Sequence, residues 1–388
     1  MGSKAILSSL ILLGLPMMAI PGIALKIPPM YQLLLVLVAL MALLNITMKG
    51  VIKREFLIYS TLLLVFDVYL YLNGSNFSQI ISITTYIVIL LVLIIEYPKT
   101  IYFNRKKIYL IFSFLYFYFM GYALLQVIAN HFYEIEYLID YRFYLTSELY
   151  STNPSPPNTG WNAKFRPSSF FAEPSFLGFY VALYSLYRID SKLKFPIVFL
   201  LANIVFLHLI GSRSGEVILI CMLLYISFEK IFSVKSAKIV FFLSVLSIFI
   251  FASVFLEDVG FLNLSNSDGS TIERVNLVLI GLKIFSQNIF FGIGLGNIGD
   301  FAVHNELYNY SVSNLTNMYL QILSETGVIG FLILIIFFKK FFSYSYCTIG
   351  LLISFFFFGG YALFFVFLFP LFITINFKES QIENLISK

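Results

Sequence analysis

Charged residues are scarce in this sequence, where they make up 12% of 388 residues. Soluble domains carry about a quarter charged residues, so the shortage excludes an ordinary soluble protein. Hydrophobic residues account for 60% of the chain instead. This balance predicts a membrane protein that crosses the bilayer several times. The net charge of +5 is too small to indicate a nucleic-acid partner.

Cysteine and histidine are also rare, which limits disulfide and metal chemistry. The two cysteines, Cys221 and Cys347, lie inside apolar runs, where a free cysteine behaves as a small hydrophobic side chain. The three histidines are far apart, and no Asp-x-Asp run accompanies them. We therefore expect no metal site and no cofactor.

Long apolar runs are what the sequence has in abundance. A run of about 17–25 apolar residues is long enough to cross a bilayer as a helix. About twelve such runs (11–12, because Gly359-Gly360 is either a boundary or a kink) predict an all-α polytopic membrane protein. We expect one integral membrane domain over residues 1–388. The predicted spans lie near residues 5–25, 29–48, 55–72, 79–96, 108–128, 171–187, 195–210, 215–232, 238–256, 318–338, 344–358 and 361–376.

The connections between spans predict the orientation, because basic residues favour the cytoplasmic side. With both termini in the cytoplasm, all but seven of the 25 basic residues lie inside. Two outside segments are long, residues 129–170 and residues 257–317. Aromatic residues in the first and an amphipathic run at 273–287 in the second favour folded, functional loops. The outside basic residues are Lys26, Arg142, Lys164, Arg166, Arg213, Arg274 and Lys283.

Arg166 and Glu173 close the first long loop, directly before the sixth predicted span. Pro174 suits the first turn of a helix, so the chain after Glu173 is expected to enter the membrane there. The amides at a helix start bind anions, and Arg166 is able to hold the same anion through two hydrogen bonds. Glu173 is the first candidate for a general base. The alternative is a structural salt bridge between Arg166 and Glu173.

The segment Gly211-Ser212-Arg213-Ser214-Gly215 is predicted to be a tight outside turn between two spans. Positive charge is disfavoured on the outside, so Arg213 is a second candidate functional arginine. One alternative is an arginine that reaches lipid headgroups. Another is a simple ion pair with Glu216.

The second long loop holds Arg274 early in its amphipathic run, then a glycine-rich run, then His304. The glycines at 294, 296 and 299 match a dinucleotide-binding fingerprint by letter. No βαβ unit fits between membrane spans, so a glycine-rich tight turn is favoured. His304 is a second candidate base, with a solvated surface histidine as the alternative. His131 and His208 are interpreted as structural.

Asn317, Gln321 and Glu325 recur every four residues at the start of the tenth predicted span and form a polar stripe. Polar side chains within a membrane face the bundle interior or a cavity, so we expect the stripe to point inwards. Gly327 and Gly330 follow it and are expected to allow close packing between helices.

Taken in order, these motifs resemble those of the O-antigen polymerase and ligase superfamily of bacterial envelope glycosyltransferases. The resemblance implies a GT-C-like fold and transfer of a glycan from undecaprenyl pyrophosphate to a sugar hydroxyl. The reaction would take place on the outer face of the bacterial inner membrane, without nucleotide sugar or metal. The matching positions, between Phe165 and Phe331, are Glu173-Pro174-Ser175, Ser212 to Gly215, Arg274, Phe291 to Asn297, Asn317, Leu320, Glu325, Gly327 and Gly330.

The resemblance and the residue chemistry together define the candidate site. Partners implied are an undecaprenyl-pyrophosphate-linked glycan, membrane lipids and a chain-length regulator of the polysaccharide pathway. The candidate catalytic residues are Glu173, Arg166, Arg213 and His304, and the candidate substrate-binding residues are Arg274, Asn317, Gln321 and Glu325.

One departure from the resemblance favours a polymerase over a ligase. Many members, ligases especially, place a histidine directly before the asparagine that matches Asn317, and this chain has Thr316 there. His304-Asn305 lies upstream as a displaced substitute. A ligase that passes the glycan to lipopolysaccharide core remains an alternative. A lipid-linked oligosaccharide flippase is another, although transporters usually place their polar site at the midplane.

Overall fold

The computed structural model of the chain describes residues 54–91, 105–133, 174–190, 195–232, 269–305, 315–339 and 346–355. These residues form ten α-helices and no strand, so the all-α class is confirmed for this part of the chain. The helices are α1 (Arg54–Leu72), α2 (Phe77–Leu91), α3 (Arg105–Tyr133), α4 (Pro174–Asp190), α5 (Pro196–Leu209), α6 (Arg213–Phe232), α7 (Gly269–Gln287), α8 (Ile298–His304), α9 (Met318–Lys339) and α10 (Tyr346–Ser354).

Each predicted span that falls within the described ranges overlaps one helix. Two helices, α3 and α9, contain stretches long and apolar enough to cross a membrane, Phe112–Ala129 and Met318–Ile336, among the residues described. The total of about twelve spans stays a prediction. The predicted spans near 5–25, 29–48, 238–256 and 361–376 lie outside the described residues, as does the first long loop from residue 134 to residue 170.

Proline is the first residue of two helices and explains where they begin. α4 begins at Pro174 and α5 at Pro196, where the missing backbone N–H is not needed. The start of α4 agrees with the predicted membrane entry after Glu173. The amphipathic run predicted in the second long loop is α7, whereas the short helix α8 was not predicted.

α4 is the central helix of the described bundle. Its residues 177–187 are all buried, and it packs against α3, α5, α6 and α10. The ring of Phe112 from α3 meets Tyr180 and Tyr184 edge to face, with centroids 5.3 and 4.9 Å apart. Each such pair contributes about 0.5–1.5 kcal/mol beyond the area that it buries.

Polar contacts between helices fix the position of α4. The hydroxyl of Tyr184 donates to Oγ of Ser113 on α3 at 2.8 Å. At the other end of α4, the carboxylate of Asp190 accepts hydrogen bonds from the backbone amides of Tyr346 and Cys347 at 3.0 and 3.1 Å. These are first-turn amides of α10, which have no partner within their own helix. The carboxylate therefore caps α10 and holds it against α4.

The outward faces of α1, α3 and α5 are apolar. Leu64, Phe114 and Val198 are among the large hydrophobic side chains exposed on them. A helix that faces water carries charged and polar residues on its outer face. These faces suit contact with lipid, which agrees with a membrane protein.

Candidate functional site

The helix that follows Glu173 and the turn that carries Arg213 are in direct contact. A Cβ on Gly215 would lie 2.6 Å from Cα of Gly178 and 2.8 Å from its carbonyl oxygen. A Cβ on Gly178 would in turn overlap Oγ of Ser212. Only glycine at both positions permits this approach between helices. The structure thus brings together two motifs that are 37 residues apart in sequence, counted from Gly178 to Gly215, by packing α4 on α6.

Two helix N-termini meet at this contact. Gly178 is the fifth residue of α4, and Gly215 is the third residue of α6. The first amides of an α-helix have no carbonyl partner within the helix, and the helix dipole places partial positive charge there. Two such ends side by side form a region that favours a bound anion.

Two buried serines flank Arg213 in this region. Ser212 and Ser214 are 0% and 4% exposed, and their hydroxyls have no hydrogen-bond partner among the described residues. A buried hydroxyl without a partner costs free energy, so a polar ligand that reached these groups would be stabilised. Sequence reasoning did not single out these hydroxyls. The available signal was that both serines lie between glycines in the same turn.

Arg213 itself is the first residue of α6, and it is exposed. Glu216, considered from sequence as its ion-pair partner, places Oε1 3.4 Å from Nδ1 of His208. His208 lies in the last turn of α5, so this contact joins the end of α5 to the start of α6. The structural interpretation of His208 agrees with that position.

The remaining predicted catalytic residues are spread along the chain. Arg166 and Glu173 lie outside the described residues. Arg274 is in α7, in a turn whose side chains are not described. His304 is the last residue of α8 and is exposed. Among the described residues, Arg213 is therefore the one candidate catalytic residue that lies at the contact between α4 and α6.

The polar stripe is buried, as its position in a predicted span indicated. Asn317, Gln321 and Glu325 are among the buried polar residues. Oδ1 of Asn317 accepts from the amide of Leu320 at 3.0 Å and so caps the start of α9. Oε1 of Glu325 accepts from the amide of Gly296 at 2.9 Å. Their roles in substrate binding stay a prediction.

A break in α9 follows the stripe. Gly327 has φ +63° and ψ −172°, which no helical residue adopts. The rings of Tyr319 and Phe331 lie 6.4 Å apart, although residues twelve apart in a straight helix are separated by about 18 Å along the axis. Sequence reasoning assigned Gly327 to close packing and did not predict the break.

The glycine-rich run forms hydrogen bonds with the backbone of α9 on both sides of this break. Residues 288–297, called the glycine loop below, run past the bend in α9. The amides of Ile293 and Gly294 donate to the carbonyls of Ser324 and Glu325 at 2.9 and 2.8 Å. The glycines at 292, 294 and 296 all have positive φ, so the predicted glycine-rich turn is confirmed and serves as a structural joint.

The turn between α1 and α2 holds the other side of the glycine loop. The amide of Leu295 donates to Oγ of Ser75 at 2.8 Å, and Nδ2 of Asn297 donates to the carbonyl of Gly74 at 2.9 Å. The amide of Asn76 donates to the carbonyl of Leu295 at 2.9 Å. Sequence reasoning missed these partners, and the run Asn73-Gly74-Ser75-Asn76 was the one available signal.

The described part of the chain is all-helical, has two helices long and apolar enough to cross a membrane, and holds an anion-favouring contact between two helix starts. Residues 197–335 match the model of a family described as O-antigen ligase. The matched segment begins in α5 and ends in α9, so it includes the Arg213 turn, the glycine loop and the polar stripe. The match covers 139 of the 388 residues and supports the resemblance to the O-antigen polymerase and ligase superfamily over this segment. No curated protein sequence matched the chain.

Proposed function

We propose that this protein is an O-antigen-type polymerase. It joins undecaprenyl-pyrophosphate-linked repeat units into polysaccharide at the outer face of the bacterial inner membrane. The family match supports a polymerase or a ligase. Thr316, in the position where ligases carry a histidine, favours the polymerase.

The proposed architecture has about twelve spans in a GT-C-like arrangement, with both termini in the cytoplasm. In this orientation the starts of α4 and α6 lie at the outer face. The α4–α6 contact is the observation that carries the proposal, because it offers two helix N-termini, two buried serine hydroxyls and Arg213 to one anion. A pyrophosphate at the membrane surface is an anion that fits this set.

The reaction needs charge stabilisation more than covalent chemistry. The hydroxyl oxygen of the acceptor sugar forms a bond to the anomeric carbon of the donor glycan. The bond from that carbon to the pyrophosphate oxygen breaks, and undecaprenyl pyrophosphate leaves with the electron pair. Arg166, Arg213 and the helix N-termini stabilise the charge that develops on it, while Glu173 accepts the proton of the hydroxyl. Arg274 and the polar stripe position the glycans.

A reconstituted assay with a lipid-linked repeat unit as both donor and acceptor tests the function. We expect products that lengthen by whole repeat units, resolved by gel or mass spectrometry. Transfer only to an added lipopolysaccharide core would assign the protein as a ligase. Movement of the substrate across the bilayer without any lengthening would assign it as a flippase, which the family match does not support.

The general base is tested by paired substitutions. We expect Glu173→Gln to lower turnover by about a hundredfold or more, because general-base catalysis contributes about 10²–10⁴-fold. We expect His304→Ala, at an exposed helix end, to lower it much less. Single-turnover rates of the two variants decide between them. Near-normal turnover in Glu173→Gln with loss of activity in His304→Ala would reverse the assignment.

A further inference from the structure

The tip of the glycine loop exposes three consecutive large apolar side chains. Ile289, Phe290 and Phe291 are 45%, 67% and 56% exposed. Sequence patterning placed them in an outside loop, where a run of three exposed apolar residues would face water. Such runs are unfavourable unless another apolar phase covers them.

The backbone carbonyls of the same three residues are already paired. The carbonyls of Ile289 and Phe290 accept from the amides of Val328 and Ile329 at 2.9 and 3.2 Å. These are the first amides after the break in α9, which lack helical partners. The carbonyl of Phe291 accepts from the hydroxyl of Tyr69 at 3.1 Å. Irregular backbone enters a membrane only where protein satisfies its polar groups, and the carbonyls at the tip of this loop meet that condition.

Contacts with α1 fix the position of the glycine loop along the predicted membrane normal. Tyr69 lies in the last turn of α1, and Asn73, which also donates to the carbonyl of Phe291, follows its end. The predicted orientation puts this end of α1 at the outer boundary of the membrane. Leu72 and Phe77, on either side of the turn, are exposed large hydrophobic residues as well. The tip of the loop therefore continues the apolar surface at the outer end of α1 and α2.

We infer that the glycine loop enters the outer leaflet, where Ile289, Phe290 and Phe291 contact the hydrocarbon tails of the lipids. The part of the second long loop that carries the glycine motif is thus an interfacial element of the membrane domain. Its polar side, with Asn297 and the Glu325 carboxylate, stays within the protein. The inference rests on the membrane arrangement under the proposed function and does not depend on glycosyl transfer.

Cysteine labelling in lipid nanodiscs tests this placement, since both membrane faces are then open to a water-soluble maleimide. Single cysteines replace Phe290 or Phe291 in a Cys221→Ala, Cys347→Ala background. Leu64→Cys, on the lipid-facing side of α1, and Asp300→Cys, exposed on α8, are the matched controls. We expect Phe290→Cys to react at least about tenfold more slowly than Asp300→Cys and at the rate of Leu64→Cys. Reaction at the rate of Asp300→Cys would overturn the inference, as would rapid labelling of Leu64→Cys.

Fluorescence quenching by brominated lipids shows whether lipid or protein covers the tip of the glycine loop. The chain has one tryptophan, Trp161, so Phe290→Trp is placed in a Trp161→Phe background. We expect acyl-chain bromine to quench the fluorescence of Phe290→Trp and to leave that of Asp300→Trp unchanged. Absence of quenching at position 290 would show that protein covers the tip and would reject the lipid contact. Neither readout uses activity, so the inference and the proposed function fail independently.

Discussion

Replacing Arg213 with alanine is expected to lower turnover on the order of a hundredfold or more, as loss of one charge-stabilising donor typically does. The leaving undecaprenyl pyrophosphate gains negative charge in the transition state, so a cation held there accelerates the reaction as well as binding the substrate. Arg213 begins α6 beside the start of α4 and between two buried serines. The same loss is expected for Arg166→Ala. Turnover of purified, reconstituted variants is the measurement.

Two controls isolate the role of Arg213. Arg213→Lys is expected to restore little activity, because an ammonium group does not reproduce the two parallel hydrogen bonds of a guanidinium group. Lys283→Ala removes another exposed positive charge, on α7, and is expected to keep turnover near the wild-type value. Full activity in Arg213→Ala would support the lipid-headgroup role. Full activity in Arg166→Ala would remove that arginine from the proposed site.

Replacing Gly327 with alanine is expected to destabilise the protein by about 3 kcal/mol. A residue other than glycine at these φ and ψ angles costs about 1–3 kcal/mol, and a steric clash adds to that cost. The new Cβ would overlap the carbonyl of Phe290. That carbonyl is the partner of the Ile329 amide, so the clash falls on the joint between the glycine loop and α9. The apparent melting temperature in detergent is expected to fall by about 5 °C or more.

Gly121→Ala is the matched control for this substitution. Gly121 lies within α3, and a Cβ there meets nothing within 4 Å. Alanine favours a helix interior over glycine by about 1 kcal/mol, so this change is expected to leave stability unchanged or to raise it slightly. A lower melting temperature for Gly327→Ala and an unchanged or higher one for Gly121→Ala would confirm that the φ angle and the clash at position 327 cause the loss of stability. Equal, small effects would show that α9 tolerates a continuous helix there.

The candidate site was only partly predictable from sequence. Arg213 and its turn were identifiable, because an arginine is unexpected in a short outside connection. The serines beside it were not, because a hydroxyl gains significance only once burial and the absence of a partner are known. For the glycine motif, the sequence pattern was misleading and the structure decided the role. Its letters match a nucleotide-binding fingerprint, whereas its hydrogen bonds join it to the bend in α9.

By itself the sequence determined the all-α class, the approximate positions of the described helices other than α8, and the start of α4 at Pro174. These depend on local properties, namely the length of apolar runs and the missing amide of proline. Tertiary structure alone decided that Gly178 meets Gly215 and that α9 breaks at Gly327. The break is stable because the glycine loop and α1 supply the hydrogen bonds that the helix gives up. One of those bonds, from Tyr69 to the carbonyl of Thr326, joins residues 257 positions apart, a separation that no local pattern records.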